Sequence, residues 1–122
     1  MSTKYRGKGG SIVNLSSGAA KYGSPGEYVD YAASKAAIDT LTIGLAREVA
    51  EEGIRVNAVR PGFIDTEIHQ SGGEPDRMER VRPLVPMKRV GQAEEVADAI
   101  MWLLSDKASY TTGTILDVSG GR

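Results

Sequence analysis

The chain has 122 residues, of which 40% are hydrophobic, and this length and composition suit one domain with a core of modest size. Its 15 Lys and Arg side chains against 16 Asp and Glu leave a net charge of -1, and its apolar runs are too short for a bilayer, so neither nucleic-acid binding nor a membrane protein is favoured. The absence of cysteine excludes disulfides, thiolate metal sites and a cysteine nucleophile, and leads us to expect a cytoplasmic protein.

The spacing of apolar residues, glycines and prolines predicts alternating strands and helices. β-rich runs bounded by glycine and serine indicate strands, whereas apolar residues at intervals of three and four indicate helices. The predicted elements are a strand over residues 11–15, a helix over 28–52, a strand over 54–59, a helix over 93–105 and a strand over 114–118. This order implies two right-handed crossovers and therefore an α/β fold with a parallel sheet.

The long helix over residues 28–52 has two different faces, and it is expected to stop at Gly53. One face carries apolar side chains at helical spacing, namely Ile38, Leu41, Leu45 and Val49. The other face carries small residues, namely Ala33, Ala36, Ala37, Thr40 and Gly44. Because small side chains do not keep a neighbouring backbone away, a second helix could pack closely against this face.

The segment over residues 63–92 cannot form one regular element, because glycines and prolines interrupt it. The interrupting residues are Gly72, Gly73, Pro75, Pro83 and Pro86. A connection of this length inside a compact domain is usually functional. Its charged side chains resemble a solvated surface of mixed sign and include Arg77, Arg80, Arg82, Lys88 and Arg89 beside Asp76 and Glu79.

Two polar side chains near the start of the long helix are the strongest chemical signal in the chain. Tyr31 and Lys35 are four positions apart, so both project from one face of the helix toward one point. Ser17 follows the first strand, and ligands of an open parallel sheet bind beyond the carboxyl ends of its strands. These three side chains are therefore predicted to address one ligand site.

The same residues belong to an ordered series that resembles the short-chain dehydrogenase/reductase family. Tyr31 and Lys35 match the family's Tyr-x-x-x-Lys motif, and Ser17 matches its active-site serine. Further matches are, in chain order, residues 54–62 (IRVNAVRPG), Ile64 with Thr66, residues 103–106 (LLSD), and Gly113 with Gly120 and Gly121. A lone Tyr-x-x-x-Lys arises by chance on many helices, whereas the ordered series extends over nearly the whole chain and is specific.

The resemblance implies a fold, a reaction and a cofactor. The fold is α/β, a Rossmann-like doubly wound parallel sheet of which this chain holds the C-terminal half, with three strands and two main helices. The reaction is hydride transfer between NAD or NADP and an alcohol or carbonyl substrate. Tyr31 would exchange the proton, and Ser17 would hold the substrate oxygen. Lys35 would stabilise the tyrosine anion and hydrogen-bond the nicotinamide ribose.

The resemblance also implies cofactor contacts after the second strand. Pro61 and Gly62 lead into a loop in which the backbone of Ile64 would fix the nicotinamide carboxamide and the hydroxyl of Thr66 would hold the cofactor. The stretch over about residues 67–89 would close over the substrate. A homodimer or homotetramer, formed through the long helix and the last strand, is expected.

Two departures from the family pattern bear on these assignments. Ser17 lies 14 positions before Tyr31, one more than in many family members, and Ser16 is the alternative active-site serine. The sequence lacks the N-terminal hallmarks of the family, among them the glycine-rich turn that binds the cofactor phosphates. The glycine-rich run at residues 7–10 does not replace this turn, because it precedes a strand instead of opening a helix. We therefore expect residues 1–122 to be a partial NAD(P)-binding Rossmann domain, weak in cofactor binding and inactive by itself.

Two other functions are compatible with the sequence. The chain could be a truncated, catalytically inactive fragment that retains only oligomerisation surfaces, on the long helix and over residues 93–118. A Rossmann domain that binds without redox chemistry is disfavoured, because it has no use for Ser17, Tyr31 and Lys35 together. His69 is the only histidine and has no second ligand at metal spacing, so no metal site is predicted, and Trp102 suits core or interface packing.

Overall fold

The computed structural model describes residues 1–66 and 76–122. The strands are β1 (Gly10–Leu15), β2 (Ile54–Pro61), β3 (Ile64–Asp65), β4 (Gly91–Gln92) and β5 (Ile115–Val118). The helices are α1 (Ala19–Tyr22), α2 (Val29–Val49), α3 (Arg77–Val81) and α4 (Ala93–Leu104). Single turns of 3-10 helix lie at Thr3–Tyr5, Ala50–Glu52, Arg82–Leu84 and Asp106–Ala108.

The three predicted strands form one parallel sheet, in the order β1-β2-β5. Leu15 at the end of β1 is level with Val59 of β2, and Ala58 is level with Ile115 of β5. Parallel pairing of consecutive strands requires a crossover between them, which α2 and α4 supply. The predicted α/β architecture with a parallel sheet is confirmed.

Helices α2 and α4 cover opposite faces of this sheet. Arg60 of β2 bonds Asp39 of α2 (Nη1 to Oδ2, 3.3 Å), whereas Arg55 donates from Nη1 to the Leu103 carbonyl of α4 (2.9 Å). Positions 55 and 60 are an odd number of residues apart, so their side chains point to opposite faces of a pleated strand. The sheet is therefore doubly wound, as the sequence predicts.

Helix α2 ends as predicted, and its buried residues have small side chains. Gly53 takes the left-handed conformation (φ 74°) that ends the chain's helical run, which is unstrained for glycine. The fully buried residues of α2 are Ala32, Thr42 and Ala46, whereas Leu41 is 54% exposed. Leu41, which the sequence places at helical spacing with Ile38 and Leu45, is thus exposed, because small side chains bring α2 close to β2.

Helix α4 begins at a capped N-terminus. The backbone N–H of Gln92 donates to Glu95 Oε1 at 3.0 Å, which satisfies one of the amides that the first helical turn leaves unpaired. Arg89 Nη1 also reaches Glu95 Oε1 at 2.7 Å. The hydrogen bond from Arg89 has the largest effect on Glu95, and together with the one from Gln92 it lowers the pKa of this carboxyl group to about 2.

The segment after β2 contains several short elements instead of one long loop. Strands β3 and β4 pair in parallel, with Ile64 level with Gly91, and neither was predicted because two residues are too few to show a pattern. Helix α3 continues directly into the 3-10 turn Arg82–Leu84. Part of the predicted substrate-closing stretch, with Gly72, Gly73, Pro75 and His69, lies outside the described residues.

None of the helices in residues 1–66 and 76–122 combines the length and the apolar character that crossing a membrane requires.

An ion network joins the sheet to α2. Arg60 Nε lies 2.6 Å from Asp117 Oδ1 of β5, and Arg60 Nη2 lies 3.0 Å from Asp117 Oδ2. Arg60 also contacts Asp39 of α2. The hydrogen bond from Arg60, with the attraction of its charge, holds the pKa of Asp117 below its usual value.

The lowered pKa of Asp117 predicts a pH-dependent contribution to stability. The carboxylate pairs with Arg60 only in the folded state, so the pair stabilises fully above the ordinary aspartate pKa of ~3.9 and is lost as the pH falls through the lower folded value. Asp117→Asn should lower the free energy of unfolding by about 1 kcal/mol at neutral pH, since the pair is partly screened by water. Urea unfolding near pH 7 and near pH 3 measures the difference.

The matched control for this prediction is Glu79→Gln. Glu79 pairs with Arg82 three positions away, and both side chains are largely exposed, so this change should leave stability unaltered at either pH. An Asp117→Asn effect that persists undiminished near pH 3 would contradict the assignment to the ion pair.

Candidate active site

The carboxyl ends of all three strands are tied together by backbone hydrogen bonds. The N–H of Ser16 donates to Val59 O at 2.8 Å, and the N–H of Gly18 donates to Pro61 O at 2.8 Å. On the other side of β2, the N–H of Gly62 donates to Val118 O at 2.9 Å. The turns that follow β1 and β2 therefore lie side by side, as open parallel sheets require of a ligand site.

Two glycines make this close approach possible. A Cβ on Gly62 would lie 2.9 Å from both Cα and Cβ of Ser119, closer than packed atoms allow. A Cβ on Gly18 would lie 3.3 Å from Pro61 O, so a side chain there would push the two turns apart. Gly62 is one of the residues predicted for the site. Because it has no side chain, the backbone at this position can pack directly against Ser119.

An open cleft of about 1090 Å³ lies above these strand ends. Every residue predicted for catalysis or cofactor binding lines it, namely Ser17, Tyr31, Lys35, Pro61, Gly62, Ile64 and Thr66. These residues come from the β1–α1 turn, from α2, from the end of β2 and from the segment after it. The fold thus gathers into one cavity side chains that are up to 49 positions apart in the sequence.

Tyr31 and Lys35 lie on the same side of α2, at the wall of the cleft. Lys35 Nζ is 5.7 Å from the centre of the Tyr31 ring and donates to the Leu15 carbonyl at 3.0 Å. The Tyr31 side chain is 45% exposed, and its hydroxyl makes no hydrogen bond within the described part of the chain. An ammonium group with three donors can hold Leu15 and still bind a ligand, and the phenol is accessible to a ligand as well.

The two candidate serines differ in what their hydroxyls do. Ser17 Oγ accepts a hydrogen bond from the Ala19 N–H at 3.2 Å, which leaves its own O–H available as a donor toward the cleft. Ser16 is only 3% exposed, and its hydroxyl donates to the Lys35 carbonyl at 3.4 Å. The geometry therefore favours Ser17 over Ser16 as a ligand-binding hydroxyl.

Asn57 joins β2 to the turn that precedes β5. Its side chain is fully buried, donates to the Thr111 carbonyl at 3.0 Å and accepts from the Thr114 N–H at 3.1 Å. Both partners belong to the turn that leads into β5, so Asn57 fixes the start of that strand. The sequence marks Asn57 only as part of a motif, since its partners lie more than 50 positions away.

Several residues that line the cleft were not predicted. Lys21 and Tyr22 of α1, Phe63 after β2, and Arg122 form one wall. Arg77 and Arg80 also line this open cleft, a placement that the sequence does not indicate, whereas Arg82 and Arg89 form exposed ion pairs. Single basic or aromatic residues in turns carry no spacing signal, so only their placement in space identifies them.

Metal ligands can be judged only for the part of the chain that is described. Within residues 1–66 and 76–122, no three His, Asp or Glu side chains come together as a metal-binding group.

Comparison with known proteins places this cleft in a family context. A profile of the family described as enoyl-(acyl carrier protein) reductase matches residues 2–122. The oxidoreductase YgfF of Escherichia coli (strain K12) is 68% identical over the whole chain, which covers 49% of that protein. The 3-oxoacyl-(acyl-carrier-protein) reductase FabG of Thermotoga maritima is 46% identical over 93% of the chain and 46% of its own length.

A solved structure shows the same relation. The short-chain dehydrogenase/reductase of Brucella melitensis titled glucose/ribitol dehydrogenase superposes with a TM-score of 0.80 at 38% identity. The match covers 91% of this chain and 44% of that one, and the chain spans about half the length of the curated relatives it matches. The fold, the family profile and the relatives agree, and the chain spans part of a Rossmann-like domain. It belongs to the short-chain dehydrogenase/reductase family of oxidoreductases.

Proposed function

We propose that this chain carries the catalytic centre of an NAD(P)-dependent oxidoreductase that transfers a hydride between a nicotinamide cofactor and an alcohol or carbonyl substrate. The observation that carries the proposal is the single cleft that Ser17, Tyr31 and Lys35 share with the segment after β2. The name of the Thermotoga relative, a 3-oxoacyl reductase, supports a carbonyl group as the reacting centre.

Tyr31 is proposed to move the proton. During reduction its hydroxyl donates to the forming alkoxide, and during oxidation the phenolate accepts the alcohol proton. The accessible hydroxyl of Tyr31 supports this role, and Lys35 stands 5.7 Å from the ring, where its charge stabilises the phenolate. Lys35 is anchored to Leu15 O, so the ammonium does not need to be ordered anew when a ligand arrives.

Ser17 is proposed to hold the substrate oxygen. Its oxygen accepts from Ala19 N–H, which leaves its O–H free to donate to a ligand in the cleft. A donor aimed at the oxygen where negative charge develops stabilises the transition state more than the ground state. Tyr31 and Ser17 would then bond the same oxygen, one as acid and the other as a fixed donor.

The residues present fit the nicotinamide end of the cofactor. Lys35 has donors beyond the one that Leu15 O accepts, which suits ribose hydroxyls. Ile64 and Thr66 line the same cleft and would hold the carboxamide and the adjoining part of the molecule. The nicotinamide supplies or accepts the hydride when it is bound.

Assembly into a homodimer or homotetramer is also proposed, and the exposed face of α2 supports it. Ala33, Ala37, Thr40 and Gly44 are exposed on the small-residue face, and Leu41 is exposed beside it. A face of small residues beside an exposed leucine suits close packing of a second helix.

The proposed function is tested by Ser17→Ala and its matched control Ser16→Ala, in the full-length protein. We expect Ser17→Ala to lower kcat by roughly 100- to 1,000-fold, the usual cost of removing one such donor. Ser16→Ala should retain most activity and lower the melting temperature, because its hydroxyl only contacts a helix carbonyl. Turnover is followed by NADH and NADPH absorbance with a series of aldehydes and ketones.

Two results would contradict this proposal. One is equal activity in wild-type protein and Ser17→Ala, which would remove the serine from the reaction. The other is a larger loss in Ser16→Ala than in Ser17→Ala at full thermal stability, which would make Ser16 the active-site serine.

A further inference from the structure

One arginine on the cleft wall contacts aromatic rings instead of a counter-charge. The Arg122 guanidinium carbon lies 4.8 Å from the ring centre of Tyr22 and 4.8 Å from that of Phe63. Its side chain lines both the active-site cleft and a smaller adjoining cavity of about 430 Å³. Arg122 thus stands where the two cavities meet.

The rings hold the guanidinium in place without using its hydrogen-bond donors. The five N–H bonds of a guanidinium lie in its plane, whereas contact with an aromatic ring uses its face. Within residues 1–66 and 76–122, no acidic side chain forms an ion pair with Arg122. The planar group is therefore positioned and able to bind an anion with two parallel hydrogen bonds.

The backbone of Arg122 is fixed by two side chains of the same cleft wall. Lys21 Nζ donates to the Arg122 backbone oxygen at 2.9 Å, and the Tyr22 hydroxyl donates to the same oxygen. Both donors belong to α1, the short helix that begins two residues after Ser17. The position of Arg122 is thus coupled to the turn that carries the proposed oxygen-binding serine.

The charge of the cleft differs from that of the whole chain. The described lining has five basic side chains (Lys21, Lys35, Arg77, Arg80 and Arg122) and two acidic ones (Glu27 and Asp117). Asp117 is already paired with Arg60, outside the lining. The described lining of the cleft thus has more basic than acidic side chains, although the whole chain has a net charge of -1, and such an excess attracts negatively charged ligands.

From these observations we propose that the substrate carries, apart from its reacting carbonyl or alcohol, a carboxylate or phosphate group that Arg122 binds. Arg122 is then a specificity-determining residue, and the inference rests on the proposed function of the same cleft. The anion would sit on the in-plane edge of the guanidinium, with the rings of Tyr22 and Phe63 preventing rotation. An uncharged substrate of equal shape would leave that charge unneutralised beside a cleft already positive.

The test uses three aldehydes that differ only in the group opposite the carbonyl: 4-formylbenzoate, 4-formylphenyl phosphate and the neutral 4-formylbenzamide. With the full-length protein and either nicotinamide cofactor, kcat/KM should be at least about tenfold higher for one of the two anions than for the amide. The better anion identifies the source of the charge. A second readout is benzoate and inorganic phosphate binding by calorimetry, which needs no turnover.

The diagnostic variants are Arg122→Gln and Arg122→Lys. Arg122→Gln should lower kcat/KM for the preferred anion by roughly ten- to a hundredfold and leave the value for 4-formylbenzamide within about twofold of wild type. Arg122→Lys should recover part of the preference, because it keeps the charge but loses the planar pair of donors. Arg47→Gln is the control, since Arg47 is an exposed arginine at the far end of α2 and should change nothing.

Three outcomes separate this inference from the proposed function. Equal kcat/KM for all three aldehydes would overturn the inference and leave the proposed function standing. Weaker NADH or NADPH binding in Arg122→Gln, with an unchanged anion preference, would also overturn it by assigning Arg122 to the cofactor. No turnover of any aldehyde, with benzoate or phosphate binding that Arg122→Gln abolishes, would support the anion site and reject the oxidoreductase.

Discussion

Replacing Tyr31 by Phe in the full-length protein is expected to reduce turnover by roughly 100- to 10,000-fold and to leave cofactor affinity largely intact. The variant removes only the hydroxyl group, which is the proposed proton donor and acceptor, so the chemical step becomes slower. Binding changes little, because the Tyr31 hydroxyl makes no hydrogen bond within the described residues that the variant would break. Steady-state kinetics and a fluorescence titration with NADH and NADPH measure the two quantities separately.

Tyr28→Phe is the matched control for this prediction. Tyr28 lines the same cleft, three positions before Tyr31, and loses the same atom, but it lies outside the Tyr-x-x-x-Lys pair. We expect it to keep activity within a few-fold of wild type. If Tyr31→Phe retains more than about a tenth of wild-type turnover, its assignment as the acid and base is wrong.

Lys35→Ala is expected to lower both cofactor affinity and turnover, each by roughly ten- to a hundredfold. The ammonium group is proposed to bond the ribose and to stabilise the Tyr31 phenolate, and hydrogen bonds to charged groups have this magnitude. Lys35→Arg should lose less but not recover wild-type values. An arginine keeps the charge, yet its planar fork does not reproduce the compact donor that now reaches Leu15 O at 3.0 Å.

Lys107→Ala provides the control for this pair of variants. Lys107 is exposed in the 3-10 turn before β5, at the opposite end of the sheet from the cleft, so neither quantity should change. Unchanged cofactor affinity in Lys35→Ala, measured by nicotinamide fluorescence, would reject the ribose contact. Unchanged turnover with weakened affinity would confine Lys35 to binding.

These two variants together separate proton transfer from cofactor binding. Tyr31→Phe should act on kcat alone, whereas Lys35→Ala should act on kcat and on the cofactor dissociation constant. If the chain is an inactive fragment that retains only oligomerisation surfaces, the unmodified protein will show no turnover. Activity of the unmodified protein therefore decides between this hypothesis and the proposed oxidoreductase. The Arg122 variants then address only the choice of substrate.

The predictable part of the fold was the part with long, periodic patterns. Strands β1, β2 and β5 and helices α2 and α4 were each predicted to within a few residues, because local spacing and glycine or proline boundaries determine where such elements begin and end. The parallel pairing followed from their order. Strands β3 and β4 were missed, since two-residue strands exist only through their partner.

The burial of α2 shows where local pattern fails. Leu41 carries the larger apolar side chain, but Ala32, Thr42 and Ala46 face the sheet. Asn14 Nδ2 donates to Thr42 Oγ1 at 3.0 Å, so a polar residue of β1 selects the buried face together with the small side chains. A helix that packs closely against a sheet buries small residues. The distance between helix and sheet cannot be predicted from the hydrophobicity of the helix residues.

The sequence by itself determined the candidate residues for the proposed chemistry, namely Tyr31 and Lys35 at helical spacing, Ser17 after a strand, and the motif after β2. Each lies within a local pattern, so each could be identified without knowing its neighbours in space. Only the tertiary structure decided that Ser17 and not Ser16 offers a hydroxyl to the cleft, and that Lys21, Tyr22 and Phe63 hold Arg122 there. Apart from the local hydrogen bond between Ser17 and Ala19, those contacts join residues 19 to 101 positions apart. An interaction across such separations depends on the packed fold, which leaves no periodic trace in the chain.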